Sequence, residues 1–478
     1  MHILLLIIIF IIGTNGSNIP VRDVCIVGGG SSGMSMAVLT KDIGYDPIVF
    51  ERQSTIGGHC DTINFTPPPG KTDNWIDIGV QAFINTTLLN VLGYGNWIAN
   101  TETFIKRFAG NDSLIPINTN TISKFVDMQR GFEVTPSFNA TAFQIALGNY
   151  YAILAQYPWT DLAQYPQTIP SELLIPFGEF AALHGLEPLA PLIRVFGYGS
   201  GLDLGNYSNV MALYMLVGMS RTTLNVAIGG PTAAYSVKGG CQQIYNGMRD
   251  YLGTQNILTN AQVTSIKRRN NDRPSQIKGT INGIPFKYKC KKVIAAFSPQ
   301  LNDIQFMNPD SLETSLFKHA KYFYYYTGTA ITEGPLAVNT SYQVGNSDLI
   351  NSQFQVPFVP SVTNVGRVLT YGPSQIQATS DVQKSVTEMR AIVQEQLDRI
   401  PPNIFTNVDV DIFFQHGGYW GYFDNKSLRK NYSPWAKLND LQGHRNTFWV
   451  GALNRMASSS HIWDDSYRII AQYFPPKN

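Results

Sequence analysis

Three glycines and a glutamate near the start of the chain have the spacing of a dinucleotide-binding turn. Gly28, Gly30 and Gly33 stand as G-x-G-x-x-G, and Glu51 follows them in the next apolar segment. Glycines in this pattern allow a tight turn, let the backbone approach a pyrophosphate and let a helix pack closely on a strand. An acidic side chain at the following strand end accepts hydrogen bonds from ribose hydroxyls. The chemistry that these residues indicate is the binding of an adenine dinucleotide.

The elements around this pattern predict a parallel sheet with flanking helices. The β-branched run VCIV at residues 24–27 is typical of a buried parallel strand, and MSMAVLTKDIG after the glycines predicts a helix. The amides of Ser31 and Ser32 would start that helix and face the phosphates. PIVFE then supplies a second strand, which ends at Glu51. The fold class expected is α/β, with a Rossmann-like dinucleotide-binding domain.

A second glycine cluster narrows the choice of dinucleotide. The segment ERQSTIGGHCDT places Glu51 and Arg52 ahead of Gly57 and Gly58. Here the chain resembles the FAD-dependent amine oxidase superfamily (flavin-containing amine oxidoreductases), in which a strand-end Glu-Arg precedes a double glycine of this kind. The resemblance implies tightly bound FAD and an FAD-binding domain of the amine oxidase and glutathione reductase type. It also places the double glycine and the adjoining His59 beside the cofactor.

The resemblance extends along most of the chain. NWIDIGVQAF is similar to the family segment that returns to the flavin ring, through Gly79, and NILTNAQVTSIKRR is similar to the strand whose Val263 would lie against adenine. NTFWVGALNRM is similar to the closing strand, in which Gly451 would contact the cofactor. The family often has an acidic residue after that glycine, whereas this chain has Ala452, so only backbone contacts are expected there.

Two groups within the superfamily share further segments with the chain. LIPFGEFAALHGLEPLAPLIRVFGYGSG and LQGHRNTFWVG resemble bacterial polyenoic fatty acid isomerase, whereas VCIVGGGSSG, GGHCDT and GALNRMASSSHIW resemble secreted fungal flavoproteins of the β-cyclopiazonate dehydrogenase type. The function implied is hydride abstraction from an apolar or amine-bearing small molecule onto flavin N5, with oxygen as a possible electron acceptor. Two alternatives stay open: a redox-neutral double-bond isomerase of unsaturated fatty acids, and a flavin-binding protein without turnover.

The implied domain organisation is discontinuous. Residues 21–100, 235–300 and 440–478 would build the FAD-binding domain, and residues 101–234 and 301–439 the substrate-binding domain. In the first insertion, apolar residues recur at three and four positions, which predicts helices. In the second, AKYFYYYTGTAITEG and VDVDIFFQHGGYWGYF alternate and predict antiparallel strands.

Aromatic residues next to glycines are the candidates for the substrate wall. They are Tyr198 in FGYGSG, and Tyr419 and Trp420 in HGGYWGYF. Packing in the core is the competing interpretation for each of them, and His416 is expected to be a structural histidine. Flavin chemistry needs position and a dry site more than a catalytic triad. The sequence has no convincing triad, zinc-ligand spacing or Walker-type lysine.

Composition excludes several other classes. The chain has 478 residues, 44% of them hydrophobic and 14% charged, with a formal net charge of +2. These values are typical of a folded protein of two or three domains and provide no basic surplus for nucleic acid. The only short basic run, at residues 267–269, precedes a polar segment and is interpreted as a solvated loop.

The N-terminus predicts export. Its apolar run at residues 3–12 is too short to cross a membrane but suits a signal peptide of residues 1–16, and no later segment is long and apolar enough for a transmembrane helix. A secreted glycoprotein is therefore expected. Sequons occur at Asn64, Asn85, Asn111, Asn139, Asn206, Asn339, Asn425 and Asn431.

Four cysteines complete the inventory. Cys25, Cys60, Cys241 and Cys290 are too sparse for a disulfide scaffold. Their even number allows two bridges in a secreted chain, but Cys25 in its apolar run is interpreted as a small buried thiol. No bridge is assigned from the sequence.

Overall fold

The computed structural model describes residues 19–85, 90, 101–117, 121–135, 138–193, 209–229, 234–269, 273–347 and 360–477. The strands are β1 (Val21–Val27), β2 (Pro47–Phe50), β3 (Thr62–Asn64), β4 (Trp75–Asp77), β5 (Phe83–Ile84), β6 (Leu114–Pro116), β7 (Ile122–Asp127), β8 (Phe132–Val134), β9 (Ala234–Val237), β10 (Ile257–Leu258), β11 (Ala261–Lys267), β12 (Ser275–Ile281), β13 (Ile284–Ala295), β14 (Ala320–Glu333), β15 (Tyr342–Asn346), β16 (Ser361–Arg367), β17 (Ser374–Ser380), β18 (Asn407–Phe423) and β19 (Thr447–Trp449). The α-helices are α1 (Ser31–Asp42), α2 (Thr101–Ala109), α3 (Ala140–Gln156), α4 (Phe177–His184), α5 (Ala212–Gly218), α6 (Arg221–Ala227), α7 (Gln242–Leu252), α8 (Ser311–Phe317), α9 (Val386–Leu397), α10 (Asn425–Leu428), α11 (Pro434–Asp440) and α12 (Ser459–Tyr473).

The first sheet has the predicted Rossmann-like core. Its order is β10-β2-β1-β13-β12-β11, and β19 pairs with β13. Strand β1 runs parallel to β2 and β13, with Val27 opposite both Phe50 and Ala295. Helices α1 and α12 pack together beside this sheet. The β-branched run at residues 24–27 is buried as expected for a central parallel strand.

A second, mostly antiparallel sheet provides the other half of the site. Its order is β18-β14-β17-β16-β15-β7-β8. The two alternating segments noted in the sequence are β14 and β18, and they pair with each other through several β-bulges. Helix α9 packs on one face of this sheet, and apolar residues of the helix and of the sheet form a separate core there.

The segments predicted as domains distribute over both sheets. All strands of the first sheet come from residues 21–100, 235–300 and 440–478, and β14–β18 come from 301–439. Residues 101–234 contribute helices α3–α6 but also β7 and β8, which complete the second sheet. Helix α2 instead packs on α7, so close that a Cβ on Gly247 would lie 1.9 Å from the carbonyl oxygen of Phe108.

Two disulfides correct the interpretation of the cysteines. Cys25 is bonded to Cys290 and Cys60 to Cys241, with Cα–Cα distances of 5.7 and 5.9 Å. The buried free thiol expected at Cys25 is therefore wrong. The bond forms because β1 and β13 are neighbours in the sheet although their cysteines are 265 residues apart. Spacing along the chain does not reveal that proximity.

The basic run at residues 267–269 is not a solvated loop throughout. The guanidinium of Arg268 is fully buried and forms a bidentate pair with the buried carboxylate of Glu313 in α8. Arg268 directly follows β11 and lies in the interior, where the pair satisfies both charges. In the described residues, no helix is long and apolar enough to cross a membrane.

Candidate functional site

A cavity of about 820 Å³ lies between the first sheet and the β14–β18 edge of the second. The carboxyl ends of β1, β2, β13 and β19 open onto it, which is the edge where parallel α/β sheets bind ligands. Aromatic and amide side chains of β14, β17 and β18 form the opposite side. The first sheet therefore offers backbone turns to a ligand, and the second offers side chains.

Most of the predicted site residues lie on this cavity. The wall includes Gly28, Gly30, Ser31, Ser32, Glu51, Arg52, Gly57, Gly58, His59, Gly79, Val263, Tyr419, Trp420 and Gly451. Gly33 lies within α1, away from the wall. Tyr198 lies outside the described residues.

Close packing of the backbone explains why glycine is required at two positions of the first glycine turn. Gly28 has a φ of +106°, and a Cβ there would lie 2.3 Å from the carbonyl oxygen of Ala296. A Cβ on Gly33 would lie 1.9 Å from the carbonyl oxygen of Gly28, so α1 can pack on the turn only with glycine at that position. These two glycines are required by the protein itself.

Gly30 differs, because the protein does not require glycine there. Its φ of −74° suits any residue, and a Cβ would make only an ordinary contact of 3.6 Å with the Cα of Gly58. Gly30 is also the N-cap of α1 and gives that helix no side-chain cap. Uncapped first-turn amides at a helix N-terminus form a ready anion site, and a glycine there lets a phosphate approach the backbone.

The second glycine turn packs against the first. The Gly57 amide donates to the carbonyl oxygen of Gly29 at 2.9 Å. Gly57 and Gly58 have φ values of +117° and +65°, and a Cβ on Gly58 would lie 3.0 Å from the Cα of Gly30. Two glycine turns are therefore held together at the middle of the cavity.

Glu51 is tied to the same turn. Its carboxylate accepts hydrogen bonds from the Gly29 amide at 2.6 Å and from the Gln53 amide at 2.7 Å. The side chain is buried, yet it remains part of the wall beside Val263. Each carboxylate oxygen can accept more than one hydrogen bond, so Glu51 can position the turn and still bind a ribose.

Residues 57–59 connect the glycine turns with the far wall. A Cβ on Gly79 would lie 1.7 Å from the carbonyl oxygen of His59, and the Val80 amide donates to that oxygen at 3.0 Å. The His59 Nε2 in turn lies 2.9 Å from the carbonyl oxygen of His416 in β18. The segment that carries the second glycine turn therefore also touches the second sheet.

The two histidines are half-buried in the cavity wall and are uncharged at neutral pH. Burial, with a smaller contribution from His59, lowers the pKa of His416 to about 3, and burial lowers the pKa of His59. Their rings meet edge to face at 5.0 Å. The His416 Nε2 lies 3.5 Å from Asp61, whose pKa burial raises to about 6. Because His416 also lines the cavity, it is not only the structural histidine expected from the sequence.

Tyrosines complete the far wall. Tyr419 packs on Tyr325 with a centroid distance of 4.7 Å and meets His59 at 5.3 Å. Burial raises the pKa of Tyr322 well above its ordinary value, so its phenol is neutral. Trp420 adopts a φ of +50° and is buried both in the core and against the cavity. The pairing of β14 with β18 shifts register beside these rings, and β-bulges are over-represented next to active sites.

Several wall residues were not predicted from the sequence. Tyr322, Tyr325, Gln377 and Gln415 lie on three strands of the second sheet. In the sequence, the segment YFYYYTG predicts only an alternating strand. Its run of tyrosines is the feature of the sequence that could have indicated an aromatic wall, because consecutive aromatic residues on a strand place some rings on each face of the sheet.

This geometry defines a class of protein. A parallel sheet whose strand ends carry two apposed glycine turns, a strand-end glutamate and an uncapped helix N-terminus binds a dinucleotide. The cavity continues past the glycine turns to an aromatic wall, so the ligand that fits extends beyond an adenine nucleotide. FAD fits this set of contacts. Its adenosine would lie near Glu51 and Val263, and its pyrophosphate near Gly30 and the start of α1.

Comparisons with known proteins agree with a dinucleotide-binding site that fits FAD. Residues 26–93 match the model of an NAD(P)-binding Rossmann-like domain. An uncharacterized protein of Acanthamoeba polyphaga mimivirus is 42% identical over 490 residues, covering 100% of this chain and 99% of that protein. The FAD-dependent oxidoreductase dpchF of Colletotrichum higginsianum is 26% identical, covering 92% and 91%. Beta-cyclopiazonate dehydrogenase of Aspergillus oryzae is 23% identical, covering 94% and 92%.

Solved structures share the fold. A fatty acid isomerase from P. acnes aligns with a TM-score of 0.69 at 16% identity, covering 95% of this chain and 99% of that one. Putrescine oxidase aligns with a TM-score of 0.58 at 16% identity, covering 95% and 100%. The chain belongs to the same family as the mimivirus protein. Its relatives and its fold identify it as an FAD-dependent oxidoreductase with the amine oxidase fold, and FAD is its cofactor.

Proposed function

We propose that this enzyme abstracts a hydride from a small, uncharged molecule that binds against the aromatic wall of the cavity. The observation that carries the proposal is the composition of that wall. Tyr325 and Tyr419 pack against a pair of neutral histidines, His59 and His416, and Tyr322 also lines the cavity. Rings of this kind bind apolar surface and leave no charge to attract an ion.

The charged residues of the wall support a neutral substrate. Among the described wall residues, Arg52 is the only lysine or arginine, and the nearby Asp303 offsets its charge. Glu51 is engaged by the first glycine turn. A carboxylate or an ammonium group at the tyrosines would therefore be desolvated without a partner from the described residues, which is costly. An amine substrate would be expected to react in its unprotonated form.

The protein's own contribution is position and the exclusion of water. Bound FAD supplies the hydride acceptor at flavin N5. The tyrosine and histidine rings hold the substrate by contact, and their mutual packing fixes the wall before a ligand arrives.

The test begins with the visible absorption spectrum of the purified chain and identification of the released flavin. The protein is then mixed without oxygen with methyl linoleate and, separately, with phenethylamine at an alkaline pH at which part of the amine is unprotonated; linoleic acid serves as the charged comparison. Bleaching of the flavin that recovers only with oxygen supports the proposal. Product formation without lasting bleaching indicates a double-bond isomerase instead, and neither signal with these or with wider panels of neutral compounds indicates a flavin-binding protein without turnover.

A pair of variants links the signal to the wall. Tyr419→Leu removes a ring that contacts both Tyr325 and His59, and should slow bleaching at least tenfold. Lys238→Ala alters an exposed residue away from the cavity and should leave the rate unchanged. Equal rates in the two variants would contradict the assignment of the aromatic wall to substrate.

We further propose that the protein is secreted. Two disulfides support an oxidising compartment, because such bonds rarely persist in the cytosol. The asparagines of six sequons are exposed, at positions 64, 111, 139, 339, 425 and 431, whereas Asn85 is buried. Expression in a eukaryotic secretory host should yield a chain in the medium that begins near Ser17 and loses mass with an endoglycosidase, with Asn85 unmodified. Retention of an uncleaved chain inside the cell would refute the proposal.

A further inference from the structure

The second glycine turn leads directly into a buried disulfide. Cys60 follows His59, and its partner Cys241 is the residue before α7. Both sulfurs are inaccessible to solvent, because both cysteines have 0% exposure. The turn that faces FAD is therefore covalently attached to the start of a helix from a distant part of the chain.

A buried carboxylate reinforces the same junction. Asp77 accepts hydrogen bonds from the Cys241 amide at 3.0 and 3.1 Å and from the Thr62 hydroxyl at 2.6 Å. The Thr62 oxygen also accepts from the Gln242 amide at 3.2 Å. The chain after the turn is thus fixed to residues 241 and 242 by the disulfide and by hydrogen bonds of the Thr62 hydroxyl and the Asp77 carboxylate.

The chain before the turn is fixed to the same place. The Gln242 side-chain amide donates to the carbonyl oxygen of Ile56 at 3.0 Å. Residues 56 and 60–62 therefore both anchor on residues 241 and 242, and only the turn between them is left to face the cavity. At its tip, the Gly57 amide bonds to Gly29 and Gly58 lies against Gly30.

We propose that Cys60–Cys241, with Asp77 and Thr62, is a positioning clamp for FAD binding. The clamp holds the second glycine turn at the distance from the first turn that the cofactor needs. Its loss therefore weakens FAD affinity directly, beyond any loss of stability. The Cys25–Cys290 disulfide offers the contrast, because β1 and β13 are already joined by a continuous parallel ladder on both sides of Cys25.

The experiment compares three proteins: wild type, Cys60→Ala/Cys241→Ala and Cys25→Ala/Cys290→Ala. Each is stripped of flavin and titrated with FAD while flavin fluorescence is followed, and the thermal midpoint of each apoprotein is recorded. The Cys60→Ala/Cys241→Ala protein should bind FAD at least tenfold more weakly than wild type. The Cys25→Ala/Cys290→Ala protein should lose thermal stability but stay within threefold of wild type in affinity.

A spectroscopic readout separates positioning from stability. At saturating FAD, the visible circular dichroism of the bound flavin should differ from wild type only in the Cys60→Ala/Cys241→Ala protein. Equal loss of affinity in both disulfide variants, or unchanged affinity in the first, would overturn the clamp. No substrate is used, so the outcome does not depend on the reaction proposed above.

If the Cys60→Ala/Cys241→Ala protein does not fold, two variants that each remove a hydrogen-bonding group of the clamp test the proposal instead. Thr62→Val keeps both cysteines and the side-chain shape but removes the hydroxyl that joins Asp77 to Gln242. Gln242→Ala removes the bond to Ile56. Each should weaken FAD binding about threefold to tenfold, and wild-type affinity in both would refute the proposal.

Discussion

Gly30 and Gly33 belong to one sequence pattern, but the structure assigns them different reasons for being glycine. A Cβ on Gly33 would lie 1.9 Å from the carbonyl oxygen of Gly28, whereas a Cβ on Gly30 would make only a 3.6 Å contact with Gly58. Replacing each by alanine should therefore separate the requirements of folding from those of cofactor binding. Gly33→Ala should damage the apoprotein, and Gly30→Ala should damage only the holoprotein.

The magnitudes follow from these contacts. Gly33→Ala forces backbone against backbone, and overpacking of that kind costs about 3 kcal/mol, a sizeable part of a typical 5–15 kcal/mol stability. Gly30→Ala combines a gain of about 0.4–1 kcal/mol from a less flexible unfolded chain with a loss of about 1 kcal/mol at the N-cap. The net change in apoprotein stability should be within about 1 kcal/mol. Its FAD affinity should fall at least 100-fold, or about 2.7 kcal/mol, because the methyl group occupies the closest approach of the pyrophosphate.

The assay measures both quantities on the same preparations. Apoprotein melting gives stability, with roughly 2 °C expected per kcal/mol, and quenching of flavin fluorescence gives affinity. Gly30→Ala should melt like wild type and fail to retain FAD through gel filtration. A folded Gly30→Ala protein with wild-type affinity would refute the assignment of Gly30 to the pyrophosphate.

Three further predictions follow from the same contacts. Glu51→Gln should lower FAD affinity by about tenfold and also destabilise the apoprotein by about 2 kcal/mol, because a charged acceptor for two backbone amides is lost; calorimetry of the apoprotein checks the second effect. Burial raises the pKa of Asp77 to about 7, so the folded state holds a proton that the unfolded chain releases near pH 4, and the free energy of unfolding falls as pH rises between these values. Between pH 5 and pH 8 the free energy of unfolding should fall by about 3 kcal/mol more in wild type than in Asp77→Asn; Asp61, whose pKa is also raised, and the histidines, which act in the opposite sense, contribute in both proteins and cancel in the difference. Gly79→Ala would place its Cβ 1.7 Å from the carbonyl oxygen of His59, and should therefore lower both the melting temperature and FAD affinity; an unchanged flavin titration would contradict the contact.

The cofactor half of the site was within reach of sequence reasoning because its signals are local. A buried strand, a glycine turn, a helix and a second strand follow one another within residues 21–51, and each element restricts the next. The distance between Gly33 and Glu51 along the chain fixes their relation in space because the connection between them is short. The fold class and FAD follow from that unit and from the resemblance built on it.

The far wall was not within reach, because it depends on strand pairing between distant segments. Tyr325, Gln377 and Gln415 belong to β14, β17 and β18, and the face of the sheet on which each side chain lies depends on the register of strand pairing. A one-residue shift in the register of a strand would move each of its side chains to the opposite face of the sheet. The disulfides could not be predicted for the same reason. Cys60 and Cys241 are 181 residues apart, and only the packing of residues 56–62 on α7 brings them together.

Residues 56–62 explain why the two halves of the cavity cannot vary independently. The segment supplies the second glycine turn, then His59 to the aromatic wall, then Cys60 to the disulfide with Cys241. The His59 side chain contacts the carbonyl oxygen of His416, so a shift of the glycine turn is transmitted to β18 through one hydrogen bond of 2.9 Å. Loosening the turn should therefore change the cavity at the tyrosines as well as at the phosphates. The affinity for FAD and the shape of the substrate wall are then two consequences of the position of one short segment.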